Sequence, residues 1–446
     1  MRGPGAAKSR WTENDARIID MLIDHGPSTY AELIVDEKRA RGIRERVNRF
    51  VDAGTLVWNG DRLGFPSGMQ RALGIYVGNA SVRLAVVDVN GDCLGSRLVD
   101  RVRYRDESFE WLLRRLRVPL RQLLEEVETK AGPVAGGGPK LSGVAMVLPT
   151  LIDPCDETRR ARLAATYPPR WANASLDSDF RSELRMIDPE TPLIFDVDAA
   201  ADLLAEVRYG DHGRDGNMLL VKCSGEISAA FLAGRAPLRG TGPGAAGLGH
   251  VLADVHGING SYEDLAPLAE SKTKCTCGRD AGHPRPHLNQ VASALAIADR
   301  VGINAKDRDD FVAYRQGLRA GLLEIQRAEE LGAPMSGAET ERLQHAVIDA
   351  GTAIGRALDS AVATLSPQVV VLSGYLAMAG MPFRDAVNDE IQSRDIRASR
   401  HCPEVRLSSH HDRHDRSRLG AIGAAQLSLQ QSVFPVLKQQ LRDRAR

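Results

Sequence analysis

The sequence lacks the features that mark a membrane protein or an exported, disulfide-rich one. No apolar run approaches the ~20 residues that a helix needs to span a bilayer, and the N-terminal stretch MRGPGAAKSR has no apolar signal-peptide core. Only six cysteines occur in 446 residues, and two stand as Cys275-Thr-Cys277, a spacing that suits a metal site or a turn better than a disulfide. We therefore expect a cytoplasmic protein with no membrane partner.

The sequence also lacks net charge, because 58 Lys and Arg residues balance 58 Asp and Glu residues. No global field marks a nucleic-acid-binding protein, so any basic surface must be local. Hydrophobic residues make up 43% and charged residues 26%, which is ordinary for a globular protein. A chain of 446 residues is too long for one hydrophobic core, so two or three domains are expected.

The N-terminal part has the pattern of three short helices followed by a β-hairpin. Thr12 is placed to cap the first helix, with Asp15 in a capping-box position, and Gly26-Pro27 ends that helix. A second helix fits residues 28–34 and a third fits residues 36–53. Two short strands around an Asn-Gly turn follow. This order is typical of a winged helix-turn-helix, which we place at residues 1–68.

The third helix of this pattern has two unlike faces. Ile43, Val47 and Phe50 share an apolar face, whereas residues 36–49 hold six basic and three acidic side chains. Guanidinium groups on a helix packed by one face can pair with phosphates or with guanine edges. We therefore predict binding to operator DNA, and the alternative is a solvated basic helix. The predicted DNA contacts are Arg39, Arg41, Arg44, Arg46, Asn48 and Arg49.

From residue 69 onward, strands alternate with long helices. Leu73–Gly78, Val82–Val89 and Gly143–Leu148 have the pattern of strands, and residues 109–127 carry apolar side chains at helical spacing. This alternation implies an α/β architecture. Alanines recur along residues 338–365, which indicates a helix that packs closely, either in the core or at a subunit interface.

Short motifs in this part resemble those of the ROK family (repressors, open reading frames and kinases), in the same order. The resemblance implies a two-lobed, actin- and hexokinase-like (ribonuclease H-like) α/β ATPase fold over residues 69–446. Lobe one would comprise about 69–200 plus the C-terminal helix, and lobe two about 201–415. The segments that carry the resemblance are Gly74-Ile-Tyr-Val-Gly78, Leu148-Pro149, Trp171-Ala-Asn173, Asp196-Val-Asp198, Leu204-Ala-Glu206, Ser224-Gly225, Gly247-Leu-Gly249-His250, Leu365-Ser-Pro367 and Leu419-Gly420.

The resemblance places Asp198 at the general base of the family's kinases, yet the phosphate motifs depart from the family pattern. Tyr76 stands where the kinases carry an acidic residue, and Tyr375 replaces a glycine of the adenosine motif. Ile227 and Ala229 stand where glycines let the backbone approach phosphate. We therefore expect neither ATP binding nor kinase activity, with Asp198 a vestige of the base and no catalytic residue.

The same resemblance predicts a degenerate sugar pocket. Asn173, Asp198, His250 and Asn289 are the predicted ligand-binding residues, whereas Val197 replaces an asparagine of the family. A pocket that hydrogen-bonds a polyol loses affinity when its buried polar groups are missing. The effector is therefore expected to be an unusual carbohydrate-like molecule, or there is none.

A structural Zn²⁺ site is also implied by the resemblance. Two thiolates and two imidazoles form a tetrahedral set that Zn²⁺ accepts. Cys275, Cys277 and His250 are three of the expected ligands, and either His283 or His287 is the fourth. The alternative is a pair of surface thiols in a polar loop.

These patterns together predict a homodimeric or homotetrameric regulator that represses carbohydrate-related genes. Two other functions stay open. One is an ATP-dependent, glucokinase-like sugar kinase that carries a DNA-binding appendage. The other is a ligand-free protein whose kinase-like fold serves dimerisation or partner binding.

Overall fold

The computed structural model describes most of the chain. No helix among the described residues is both long and apolar enough to cross a membrane. The predicted residues Arg39, Asn173, Cys275, Cys277 and His283 lie outside the described part. The described residues are 11–34, 40–78, 81–100, 107–134, 140–150, 152–153, 162–163, 169–171, 174–210, 216–234, 236–238, 240, 243–256, 258, 286–303, 311–335, 337–393, 402–409 and 416–444.

Three helices and a hairpin form an N-terminal unit, residues 11–65, which we call the head. The predicted capping box is confirmed, because Thr12 and Asp15 bond each other's backbone amides at the start of the first helix. The hairpin strands are antiparallel, with Asn59 opposite Arg62. The elements are α1 (Glu13–His25), α2 (Tyr30–Leu33), α3 (Ala40–Asp52), β1 (Val57–Asn59) and β2 (Arg62–Gly64).

Lobe one is built on a five-stranded sheet in the order β5-β4-β3-β6-β9. The strands β3, β4 and β5 are antiparallel neighbours, whereas β6 and β9 continue the sheet parallel to β3. The apolar faces of one long helix and one short helix pack on this sheet. The elements are β3 (Arg71–Val77), β4 (Ser81–Asp88), β5 (Cys93–Asp100), α4 (Phe109–Ala131), β6 (Gly143–Leu148), a small ribbon of β7 (Ile152–Asp153) and β8 (Arg162–Leu163), α5 (Leu176–Glu183) and β9 (Leu193–Val197).

Lobe two repeats the same sheet plan in the order β12-β11-β10-β13-β14, again with three antiparallel strands followed by two parallel ones. A separate hydrophobic core joins this sheet to the helices that follow it. The elements are β10 (Met218–Cys223), β11 (Ile227–Ala233), β12 (Ala236–Pro237), α7 (Leu288–Ala292), α8 (Ala294–Val301), α9 (Phe311–Leu331), α10 (Ala338–Leu365), β13 (Val369–Ser373), α11 (Met381–Ser393) and β14 (Glu404–Leu407).

Three further helices connect the parts: α6 (Asp198–Tyr209), α12 (Arg416–Ser428) and α13 (Phe434–Arg444). Helix α12 packs against both α6 and β3. The approach is close because α12 carries Gly423, where a Cβ would overlap the carbonyl of Ala201 on α6. Helix α13 lies against the head, where Lys438 and Asp20 are 2.6 Å apart. The core of the head is continuous with that of lobe one.

The alanine stripe of α10 lies inside the chain. Ala346, Ala350 and Ala353 are buried in the core of lobe two. On the same helix, a Cβ at Gly351 or Gly355 would overlap atoms of α11. The glycines therefore let α10 and α11 approach closely. The three alanines pack in the core of lobe two and not at a subunit interface.

Candidate functional site

A buried lysine lies at the centre of the cleft between the lobes. Lys222 is in β10, between the apolar side chains of its strand, and its side chain is 7% exposed. Its Nζ is 2.7 Å from an Asp198 carboxylate oxygen and 2.9 Å from one of Asp202. It also donates to the hydroxyl of Tyr76. An ammonium has three N–H donors, so these three oxygens satisfy it. We call these four residues the Lys222 cluster.

The fold explains why these residues meet. Strand β9 ends at Val197 and α6 begins at Asp198, so both aspartates lie in the first turns of that helix, four residues apart on one face. Tyr76 comes from β3 of lobe one and Lys222 from β10 of lobe two. The cluster is therefore a polar contact that crosses from one sheet to the other.

The surroundings set the charges of the cluster. Burial alone would lower the pKa of Lys222, but the carboxylates of Asp198 and Asp202 outweigh it and hold that pKa well above its usual value. Burial and the Asp202 carboxylate raise the pKa of the Tyr76 hydroxyl. Lys222 is consequently charged and Tyr76 neutral at physiological pH.

Both carboxylate oxygens of Asp198 have partners within the chain. A general base must accept a proton from the substrate hydroxyl, but the Lys222 ammonium competes for the Asp198 carboxylate, whose other oxygen accepts from Ser228 Oγ at 3.5 Å. In β11, the side chains of Ile227 and Ala229, which replace glycines of the family pattern, are buried. Asp198 is thus held by a cation that belongs to the chain.

Two other predicted ligand-binding residues, His250 and Asn289, lie near β11. Asn289 is buried, and its Oδ1 accepts the Ile227 amide at 2.7 Å, so it supports the start of β11. The structure places His250 at the end of a 3-10 helix that packs against β11.

Two of the predicted zinc ligands are brought together. The rings of His250 and His287 lie with their centroids 6.0 Å apart and nearly perpendicular. An antiparallel bridge between Leu252 and His287 holds the two segments side by side. Within the part of the chain that the structure describes, no group of three or more metal-binding side chains occurs. The imidazole pair fits half of the predicted Cys₂His₂ set.

The predicted DNA-contacting residues of α3 divide into two groups. Arg41, Arg44 and Asn48 are exposed on the outer face of the helix. Arg46 and Arg49 instead turn toward α1, where their guanidinium groups are 3.5 Å and 2.5 Å from the fully buried carboxylate of Asp15. The outer face of α3 therefore presents three of the predicted residues, and the other two also stabilise the head.

Aromatic side chains border this outer face. The rings of Tyr30 on α2 and Trp58 on β1 are 4.7 Å apart, and the Tyr30 hydroxyl donates to Asn48 Oδ1 at 3.3 Å. We call Tyr30, Arg41, Arg44, Asn48 and Trp58 the basic face.

Sequence reasoning did not find Lys222. The available signal was one charged residue inside the apolar strand Met218–Cys223. A lysine in a buried strand needs an anionic partner, but its partners are distant in the chain, so the sequence did not identify them.

Comparison with known proteins shows where this fold belongs. The sequence pattern of the ROK family matches residues 72–431. No curated protein sequence matches this chain. A crystal structure of a ROK family transcriptional regulator, a homolog of the E. coli MLC protein, is similar with a TM-score of 0.62 and 15% identity, covering 94% of this chain and 96% of its own.

Two ROK enzymes are also similar in fold. A ROK family glucokinase from Streptomyces griseus, in complex with glucose and AMPPNP, has a TM-score of 0.54 and 16% identity over 81% of this chain and 99% of its own. A ROK hexokinase from Thermus thermophilus has a TM-score of 0.53 and 20% identity over 83% of this chain and 100% of its own. The family match covers most of the chain, and this chain belongs to the ROK family, with its mixed α/β, two-lobed, hexokinase-like fold.

Proposed function

We propose that this protein is a DNA-binding transcriptional regulator that represses carbohydrate-related genes and has no kinase activity. The observation that carries the proposal is the basic face, in which α3 exposes arginine and asparagine side chains beside half-buried aromatic rings from α2 and the hairpin. The match to the similar regulator, a homolog of the E. coli MLC protein, covers 94% of this chain. The two similar kinases cover less of this chain.

The geometry of α3 suits the major groove of DNA. Arg41 and Asn48 are seven residues apart, which is about 10 Å along a helix. Arginine pairs with guanine edges, and asparagine with adenine edges. In a homodimer, two such heads would contact half-sites one helical turn or a multiple apart. We propose residues 1–68 as the DNA-binding domain and residues 69–446 as the domain that dimerises and receives an effector.

The Lys222 cluster supports the absence of kinase activity. Phosphoryl transfer requires a metal ion near the phosphates and a base at the sugar hydroxyl. Here the Lys222 ammonium occupies one oxygen of each of the Asp198 and Asp202 carboxylates. A carbohydrate-like effector bound in this cleft would change DNA affinity by stabilising one arrangement of the lobes.

Selection of genomic fragments by the purified protein at physiological salt tests the proposal. We expect a few fragments to be retained specifically. The variant Arg41→Ala plus Arg44→Ala should lose at least about tenfold in affinity, because each base-edge contact is worth roughly 1–3 kcal/mol. The control is Arg114→Ala plus Arg121→Ala, which removes the same charge from the exposed surface of α4. Weak, sequence-blind binding by all three proteins would reject the proposal.

The kinase alternative keeps one observation in its favour, since Asp198 occupies the first position of α6, after a parallel strand. A coupled ADP-release assay with glucose and N-acetylglucosamine separates the two functions. We expect no sugar-dependent ADP release. Release that is lost in Asp198→Asn would establish the kinase instead. A sugar panel that shifts the melting temperature would identify an effector and exclude the ligand-free interaction protein.

A further inference from the structure

Helix α6 contacts both lobes along its length. Its first residue, Asp198, and Asp202 one turn later hold Lys222 of lobe two. Glu206, in the next turn, is buried and accepts from the hydroxyl of Ser408 and from the Ser409 amide at 3.3 Å, just after the last strand of lobe two. A shift of lobe two relative to lobe one must therefore act on α6.

The C-terminal end of α6 contacts the turn between β4 and β5. Arg208 donates to the carbonyl of Asn90, and Tyr209 donates to the carbonyl of Gly91. A Cβ at Gly91 would lie 2.9 Å from the Arg208 guanidinium. The side chain of Arg208 is thus packed against the backbone of this turn.

The same arginine also contacts the head. Gly26, with φ 76°, joins α1 to α2, and a Cβ there would overlap the Arg208 guanidinium. On the other side of the turn, the Asn90 side chain bonds both backbone groups of Phe65, the residue after the hairpin. Arg208 therefore lies where α6, the β4–β5 turn and the head meet.

We propose that Arg208 is the positioning residue of the head and that α6 transmits rearrangements of the Lys222 cluster to the basic face through it. The proposal rests on the proposed function, because it states how the DNA-binding head would be regulated. A helix of this length behaves as a rod of about 18 Å. Since protein interiors are close-packed, a displacement at its first turn is carried to its last turn.

One nitrogen of the Arg208 guanidinium has no hydrogen-bond partner within the described part of the chain in this arrangement. Its Nη1 group is buried and has no hydrogen-bond acceptor among the residues described. An unsatisfied buried donor destabilises the arrangement that contains it. A small movement of α6 that gives this group an acceptor would be a second stable state, as coupling between two sites requires.

Hydrogen exchange of the free protein tests the transmission without DNA. Asp202→Asn removes one charge from the far end of α6 while keeping the side-chain shape. The reporters are three hydrogen-bonded amides: those of Ser28 and Leu63, which pair with each other within the head, and that of Phe65, which donates to Asn90. We expect these amides to exchange about threefold to tenfold faster in Asp202→Asn, which is the factor that one net hydrogen bond supplies. Asp177→Asn, which breaks an exposed pair with Arg181 on α5, should leave these amides unchanged.

The role of Arg208 is tested in the same measurement. In an Arg208→Met background, which keeps the apolar stem and removes the guanidinium, Asp202→Asn should have no further effect on these three amides. If Arg208→Met does not fold, Tyr209→Phe should reduce the effect of Asp202→Asn, because it removes the donation to the Gly91 carbonyl and the acceptor of Gln426 Nε2. The proposal would be overturned if Asp202→Asn left the exchange rates of the three amides unchanged. It would also be overturned if the effect of Asp202→Asn were as large with Arg208→Met or Tyr209→Phe as without it.

The outcome is independent of the DNA-binding assay. If the fragment selection fails but the exchange pattern appears, the transmission stands and the head serves another partner. If fragments are retained but the three amides do not respond, the regulator proposal stands and α6 is not the transmitting element.

Discussion

The side chain of Asn90 forms two hydrogen bonds with the backbone of Phe65. Its Oδ1 accepts from the Phe65 amide at 2.9 Å, and its Nδ2 donates to the Phe65 carbonyl at 2.8 Å. Both residues are buried. The asparagine thus acts like a neighbouring strand for the segment that leaves the hairpin, and it joins the head to lobe one.

Removing this side chain should destabilise the protein. In Asn90→Ala, two buried backbone groups of Phe65 lose their partners, and we expect the free energy of unfolding to fall by about 1–3 kcal/mol. Urea denaturation at pH 7 measures the change. Asn59→Ala, at the exposed tip of the hairpin, should stay within about 0.5 kcal/mol. Equal stabilities of the two variants would contradict the role of Asn90.

Arg44 and Arg49, although they are on the same helix, should respond differently to substitution. Arg49→Ala leaves the buried Asp15 carboxylate without its 2.5 Å partner, so we expect a loss of about 1–2 kcal/mol in stability. Arg44→Ala should change stability by less than about 0.5 kcal/mol and weaken binding to the selected DNA fragments. Urea denaturation measures the stability of each variant, and fluorescence anisotropy measures its affinity for the selected DNA fragments. If Arg49→Ala kept its stability and lost DNA affinity as Arg44→Ala does, Arg49 would be a DNA contact and not a partner of Asp15.

The Lys222 cluster should give stability a specific pH dependence. Because the folded pKa of Lys222 is raised above the unfolded value, which is about 10.4, its contribution is fully present below pH ~10.4 and is lost as pH rises toward the folded pKa. Lys222→Met should lower stability by about 3–5 kcal/mol at pH 7, since two largely but not fully buried carboxylates lose their counter-ion.

Urea denaturation of wild type and Lys222→Met between pH 7 and pH 11 checks this dependence. The stability difference should be constant up to about pH 9.5 and shrink above about pH 10.4. Lys140→Met removes a lysine from an exposed pair with Glu128 and should show almost no difference at any pH. A Lys222→Met difference that does not vary with pH would argue against a charged lysine in the cluster.

Metal analysis should find about one zinc per chain. His287→Ala, Cys275→Ser and Cys277→Ser should each lower that content and the melting temperature, and chelation of the wild type should do the same. His287 lies beside His250, so we expect it to be the fourth ligand, in which case His283→Ala should retain the metal. His345→Ala, on the exposed side of α10, is the control. Zinc content well below one per chain, with freely titratable thiols, would refute the site.

Local patterns predicted most elements with small errors at the ends. The predicted strand Gly143–Leu148 is β6, and the apolar spacing over residues 109–127 belongs to α4, which continues to Ala131. The turn of the hairpin lies at Gly60-Asp61, one residue later than predicted, because Asn59 still pairs with Arg62. Helix α2 begins at Tyr30 instead of residue 28, because the capping box that starts it is formed by Thr29 and Glu32.

The sequence by itself determined the family resemblance and the order of helices and strands, because periodicity and capping depend on residues a few positions apart. The tertiary structure decided which charges reach solvent. A helical wheel placed Arg49 with Arg44, yet Arg49 contacts Asp15, 34 positions earlier. Lys222 meets a tyrosine 146 positions away, and Arg208 meets Asn90 across 118 positions. Such partners depend on how whole elements pack, since a buried charge takes the nearest counter-charge that packing supplies.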